Sequence, residues 1–150
     1  MARKLRMEEA GATYHVINRG NYRRDLFESA GSARAFLETL FEAAGKFQWH
    51  VHGYVLMRNH FHLAVETLEP TLGEGMHWLQ GTMAVRFNRF RAEQGHLFQG
   101  RYKAMPIEEG RAKGVKACFV GLSLTPVVPG AEKGQWRASS GRRKRVRLTT

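Results

Sequence analysis

The chain has 150 residues, with 24 Lys plus Arg against 13 Asp plus Glu and a formal net charge of +11. That length suits one domain with a real core, and the charge favours a polyanionic partner, because a basic surface attracts and orients phosphate backbones. The single cysteine, Cys118, excludes an intrachain disulfide and a cysteine-rich zinc knot; no apolar run is long enough for a membrane span, and no apolar signal-peptide core follows Arg3 and Lys4, so the expected location is the cytoplasm, with no membrane partner.

Taken in order, residues 1–10 form a short basic and polar lead-in. Tyr14, Val16 and Ile17 predict a first strand over 12–18, and Arg19-Gly20-Asn21 signals a turn. Leu26-Phe27 reads as a brief extended piece. Ser29 or Ser32 then caps a helix in which Phe36, Leu37, Leu40, Phe41 and Ala44 recur at helical spacing, with Gly45 as its stop. The β-formers Trp49, Val51, Tyr54, Val55 and Leu56 predict a strand over 49–57. Arg58-Asn59 makes a tight turn, and a strand over 60–66 returns beside it. Met76, Leu79, Met83, Phe87 and Phe90 mark a second helix ending at Gly95, and a last strand is expected over 102–107. Strand, helix, strand, strand, helix, strand is the order of an α+β, ferredoxin-like fold: an antiparallel sheet with two helices on one face.

Beyond that core, residues 111–124 could hold a third helix weakened by Gly114 and Gly121. Pro126 and Pro129 end it, and residues 130–150 carry seven basic side chains against one acidic, the composition of a tail that orders only on a partner. The chain therefore divides into a core over 1–107, an altered helical region over 108–129 and a basic flexible tail over 130–150.

The chemistry centres on Arg58-Asn59-His60-Phe61-His62-Leu63-Ala64-Val65. Side chains at i and i+2 of a strand share a face, so His60 and His62 stand side by side while Phe61, Leu63 and Val65 point the other way. Two imidazoles on a stiff strand suit a divalent metal without completing its shell. The alternative is a partly exposed pair with ordinary hydrogen bonds. A bound Mg²⁺ or Mn²⁺ would polarise a phosphodiester oxygen and orient the phosphate. His50 and His52 repeat the spacing on the preceding strand; the register that would place them is open, and a structural or surface role is expected.

The run from Tyr54 through Arg58-Asn59-His60-Phe61-His62-Leu63 resembles the metal-binding strand pair of IS200-like transposases, and more narrowly that of the repeat-associated tyrosine transposases. Tyr14-His15-Val16-Ile17-Asn18-Arg19-Gly20 is similar to the family's opening strand and turn. Arg86-Phe87-Asn88-Arg89-Phe90, followed by Gly95-His96-Leu97-Phe98-Gln99-Gly100-Arg101-Tyr102, is similar to its helix end and next strand. The resemblance covers roughly residues 10–107. It implies a ferredoxin-like fold, hairpin-bearing single-stranded DNA as partner, a monomer or a homodimer, and no nucleotide cofactor. His60 and His62 match the metal ligands. The implied reaction is DNA cleavage and joining in transposition, through a 5′-phosphotyrosine.

The family's tyrosine lies on a C-terminal helix, five residues before the proline of an Asn-Pro pair. Anchored on Pro126, this chain has Gly121 at the tyrosine position and Thr125 at the asparagine position, and no tyrosine follows Tyr102. Neither glycine nor the nearby Phe119 can form a phosphodiester adduct, so no catalytic residue is assigned. Tyr14 and Tyr54 read as core or sheet-face residues; Tyr22 and Tyr102 remain, Tyr102 as a DNA contact. Either the chain is a strand-transferring transposase whose nucleophile comes from elsewhere, or it is a catalytically inactive hairpin or single-stranded DNA-binding protein. A frameshift near the C-terminus would account for the altered region. Arg19, Arg23, Arg24, Arg58, Arg86, Arg89, Arg91, Arg101 and Lys103 are candidate phosphate contacts, with Tyr22 and Phe98 as candidates for stacking on bases.

Overall fold

The computed structural model describes residues 8–107. Seven elements follow one another: a strand Ala12–Arg19 (β1), a single 3₁₀ turn Asn21–Arg23, a helix Ala30–Phe47 (α1), strands Trp49–Met57 (β2) and His60–Thr67 (β3), a helix Leu72–Arg91 (α2) and a strand Lys103–Ile107 (β4). The strands form one antiparallel sheet in the order β2-β3-β1-β4, so β3 and β1 are internal. The fold class is α+β, as the chain order predicts. The altered region over 108–129, the third helix within it and the tail over 130–150 lie outside the described residues.

Alternation along the two inner strands creates the core. Tyr14, Val16 and Asn18 of β1 and Phe61, Leu63 and Val65 of β3 are buried, and the apolar members pack against Phe36, Leu40 and Ala43 of α1 and Met76, Leu79 and Met83 of α2. Phe36 sits edge-on to Phe27 at 5.2 Å and tilted over Phe61 at 4.8 Å. The Leu26-Phe27 segment is a buried loop and not a strand: both backbone N–H groups donate to the carbonyl of Arg58, at 2.8 and 3.0 Å. That contact pins the loop after β1 to the β2–β3 turn.

The helix boundaries differ from the glycine signals. Ser29 caps α1 by accepting from the Ser32 backbone N–H, and the Ser32 hydroxyl accepts in return from Ser29 N–H. The helix continues past Gly45 because Phe47 is buried two residues later, against Trp49 and Trp78; Gln48 then turns left-handed at φ 55°. Helix α2 likewise stops before Gly95. Ala92 takes φ 50° and its N–H closes on the carbonyls of Asn88 and Arg89. Phe90, expected on the apolar stripe, falls in this last turn and is 84% exposed.

Two contacts fix the helices in place. Arg86 bridges α2 to α1 through both oxygens of Glu42, at 2.8 and 2.9 Å, and through Thr39 Oγ1 at 2.9 Å. Trp49 donates its indole N–H to Thr71 Oγ1 at 3.2 Å, and its ring lies so close under α2 that a Cβ on Gly75 would come within 2.1 Å of it. Replacing a helical glycine by alanine ordinarily stabilises by about 1 kcal/mol. At Gly75 the sign should reverse: Gly75→Ala is expected to destabilise by about 1–3 kcal/mol through overpacking against Trp49. Urea denaturation of the two proteins checks this, and Gly81→Ala, where a Cβ meets open space, supplies the stabilising control.

Candidate functional site

The register across the inner strands assembles the open face of the sheet. His60 stands opposite Arg19 of β1 and Met57 of β2, and His62 opposite Ile17 and Val55. Ile17 in turn faces Lys103 of β4, and the next row holds Gly53, Ala64, His15 and Met105. Residues directly opposite in a pleated sheet share a face. His15, Ile17, Arg19, His60, His62 and Lys103 therefore all lie on the side away from α1 and α2. Val55 and Ala64 are buried on this face as well, with Met57 packed against them.

The three histidines form one cluster. His15 Nε2 lies 3.0 Å from His62 Nδ1, and the two rings are near-parallel, with centroids 5.3 Å apart and 21° between their planes. The His60 and His62 rings meet edge to face at 5.2 Å. His60 Nδ1 is 2.9 Å from Asn59 Oδ1. Burial, with the neighbouring His15 and His60, pushes His62 down to about 4, so it is neutral at pH 7. Burial and the Arg19 guanidinium lower His60, and burial lowers His15. Neutral imidazoles carry a free lone pair, which is the form that binds a metal. Among the described residues, no group of three or more His, Cys, Asp and Glu side chains could hold a metal ion.

His50 and His52 turn out to share this face. His50 pairs with Glu66, and a register shift between Val51 and Gly53 inserts His52 as an extra residue, so both rings reach one carboxylate: His52 Nε2 at 2.6 Å and His50 Nδ1 at 3.9 Å from Glu66 Oε2. They lie at the far end of the sheet from His60.

The basic candidates separate into two groups. Arg24 is paired with Glu93 and lies over the Phe87 ring; Arg91 is paired with Glu28 and covers the other approach to Phe87. Arg58 binds Asp25 at 2.8 Å, and Arg86 binds Glu42. Arg19, Arg23, Arg89, Arg101 and Lys103 are exposed and make no ion pair among the described residues. Arg19, Arg23 and Arg58 gather at the His60 end, because Gly20 N–H donates to the Asn59 carbonyl at 2.8 Å and Asn59 Nδ2 to the Arg23 carbonyl at 3.4 Å.

Of the tyrosines, Tyr14 is buried and its hydroxyl accepts from Glu9 N–H at 2.9 Å; Tyr54 is half-buried, which raises its phenol. Tyr102 is also buried in the core, so the DNA-contact reading of that residue does not hold. Tyr22 is 93% exposed on the 3₁₀ turn, where it and Arg23 adopt φ of 51° and 57°. Phe98 packs edge-on against Phe61 at 6.0 Å and belongs to the core periphery. Reading the sequence alone missed His15 and Asn59 as partners of the histidine pair. The alternation Tyr14-His15-Val16 already placed His15 away from the core, but only the β1–β3 register brings it to His62.

An antiparallel sheet with both helices on one side and clustered imidazoles on the other defines an α+β protein whose polar site lies opposite its helices. The family model described as "Transposase IS200 like" matches residues 9–117, and the chain belongs to that family. Two solved structures share the fold. One is a REP-associated tyrosine transposase bound to a REP hairpin, with TM-score 0.65 and 12% identity, covering 85% of this chain and 73% of that one. The other is a putative transposase from Deinococcus radiodurans R1, with TM-score 0.56 and 17% identity, covering 81% and 98%. No curated protein matches the chain. Among the described residues, no helix is long and apolar enough to cross a membrane.

The depressed His62 pKa has a pH signature in the metal-free protein. Between about 4 and the ordinary 6.5 the unfolded chain holds a proton on this ring that the folded chain refuses. The stability that His62 contributes is therefore complete above pH 6.5 and is lost as pH falls toward about 4. Urea midpoints measured across that window should fall less steeply for His62→Gln than for the parent.

Proposed function

We propose that this chain is a hairpin or single-stranded DNA-binding member of the IS200-like transposase family that keeps the two-histidine half of the metal site and lacks the tyrosine nucleophile. The observation that carries the reading is the placement of His60 and His62 side by side on the face of the sheet away from the helices, with Arg19, Arg23 and Lys103, which make no ion pair among the described residues, near them. The β2-β3-β1-β4 order with both helices on one side supports the ferredoxin-like assignment. The bound hairpin in the structurally similar REP-associated transposase supports the choice of ligand.

His60 and His62 would hold the divalent ion, Mg²⁺ or Mn²⁺, which when bound polarises a phosphodiester oxygen. Nitrogen donors by themselves favour Mn²⁺ over Mg²⁺, while phosphate oxygens complete a harder shell. Arg19 and Lys103 flank the pair and neutralise phosphate charge; Arg23 extends that field around the β2–β3 turn, Arg58 joins it only by leaving Asp25, and Arg101 and Arg89 are further contacts. Arg24 and Arg86 meet DNA only if they exchange their carboxylate partners, so they contribute less. Tyr22, exposed beside Arg23, offers a stacking surface for a splayed base.

Covalent strand transfer requires a hydroxyl presented in line with the phosphate. No tyrosine occurs in residues 103–150. One observation favours a second reading, in which cleavage and joining through a phosphotyrosine persist: Tyr22 is exposed on a turn held to the residue preceding His60.

Binding measured at several salt concentrations should favour hairpin-bearing single strands over matched duplex. Equal affinity for the two at every salt concentration sinks the hairpin reading. Arg19→Ala and Arg23→Ala should each lower the slope of log affinity against log salt by about 1. In the same DNA with Mn²⁺, a denaturing gel should show no protein–DNA adduct. A denaturation-resistant adduct that disappears in Tyr22→Phe would establish the second reading in its place.

A further inference from the structure

We infer that Asn59 and His15 are positioning residues for the histidine pair: they hold the ring protons of His60 and His62 on Nδ1 and so leave both Nε2 lone pairs available to a metal. The inference rests on the metal reading above and adds which atoms bind and what aims them.

The argument starts at Asn59. Its amide can be oriented either way on shape alone, but its Nδ2 donates to the Arg23 carbonyl, which fixes Oδ1 as the acceptor facing His60. A carbonyl-type oxygen accepts only, so His60 Nδ1 must carry the hydrogen. The ring's remaining lone pair is then on Nε2. Asn59 is itself held, because its carbonyl accepts from Gly20 N–H at 2.8 Å. The β1 turn therefore locks the tautomer of the first ligand.

His62 has no such oxygen. Its Nδ1 faces the Nε2 of His15 at 3.0 Å, and two neutral rings can share that contact in either of two ways. If His15 donates, His62 is protonated on Nε2 and has no lone pair left for a metal. If His62 donates, His15 accepts at Nε2 and keeps its own proton on Nδ1, and His62 Nε2 becomes a ligand. Metal binding selects the second arrangement. A metal-bound histidine that donates its other N–H to a fixed acceptor is both oriented and made a better ligand, and losing such an acceptor costs roughly 10–100-fold in metal affinity. The two rings lie near-parallel, with 21° between planes and centroids 5.3 Å apart, which suits an N–H···N bond in the ring planes. His15 reaches this position from β1, diagonally across the β1–β3 register, and so couples strand pairing to ligand geometry.

Residue-resolved ¹⁵N–¹H correlation of the histidine rings during titration with Zn²⁺, a diamagnetic probe, tests this on the full chain. The wild type should show His60 and His62 protonated on Nδ1 and metal-shifted on Nε2, with His15 protonated on Nδ1. His15→Phe, which keeps ring bulk and removes the acceptor, should weaken zinc binding at His62 by about tenfold or more. His15→Gln, whose side-chain oxygen can accept, should recover most of that loss. Asn59→Leu should release the His60 tautomer, and Asn59→Asp should keep it. Wild-type zinc affinity in His15→Phe overturns the role of His15. A metal shift on His15 Nε2 makes it a ligand and overturns the positioning role. No zinc shift on either His60 or His62 of the wild type overturns the metal reading itself, a result distinguishable from the other two.

Discussion

Everything on the open face depends on the register of β1 against β3. The two strands are the inner pair of the sheet, and their partners run from Ala12 with Thr67 to Arg19 with His60. Because the side-chain period of a strand is two, a slip of one residue would exchange the faces. Phe61, Leu63 and Val65 would leave the core, and His60 and His62 would enter it. The same hydrophobic burial that makes the fold stable thus selects the one arrangement in which the imidazoles stand beside Arg19 and His15. Site and core are two sides of a single pairing, and neither can be altered without the other.

Charge on this protein is less available than its count suggests. Of the basic side chains near the element ends, four are held by carboxylates: Arg24, Arg58, Arg86 and Arg91. Arg86 closes the α1–α2 interface and serves packing more than recognition. The exposed pairs contribute little each to stability, but they lower the positive field that DNA would meet. What remains concentrated is the rim around His60, where Arg19 and Arg23 are exposed on a turn that two bonds, one backbone and one from the Asn59 side chain, tie to the β2–β3 connection.

Much of the architecture was legible in the order of periodicities. Strand alternation at Tyr14-Val16 and Phe61-Leu63-Val65, and helical spacing at Phe36-Leu40 and Met76-Leu79-Met83, identify the two inner strands and both helices with the face each buries. The helix ends were not legible, because glycine was read as the stop at 45 and 95 while left-handed turns at Gln48 and Ala92 close the helices. Nor was the neighbourhood of the histidine pair. His15 is 47 residues from His62 in sequence, and a diagonal contact between strands leaves no periodic trace. The bulge that brings both His50 and His52 to Glu66 is likewise a departure from alternation, which a pattern of period two reads as a face that cannot be assigned.

That bulge has a counterpart at the opposite margin of the sheet. At one edge, β2 is interrupted between Val51 and Gly53; at the other, β4 spans five residues and contains Pro106, whose nitrogen has no hydrogen to donate. A strand arriving from another chain would meet a break in the ladder on one side and a missing donor on the other. Lengthening of the sheet by strand addition is disfavoured at both margins. The two edges thereby keep the backbone from seeding aggregation.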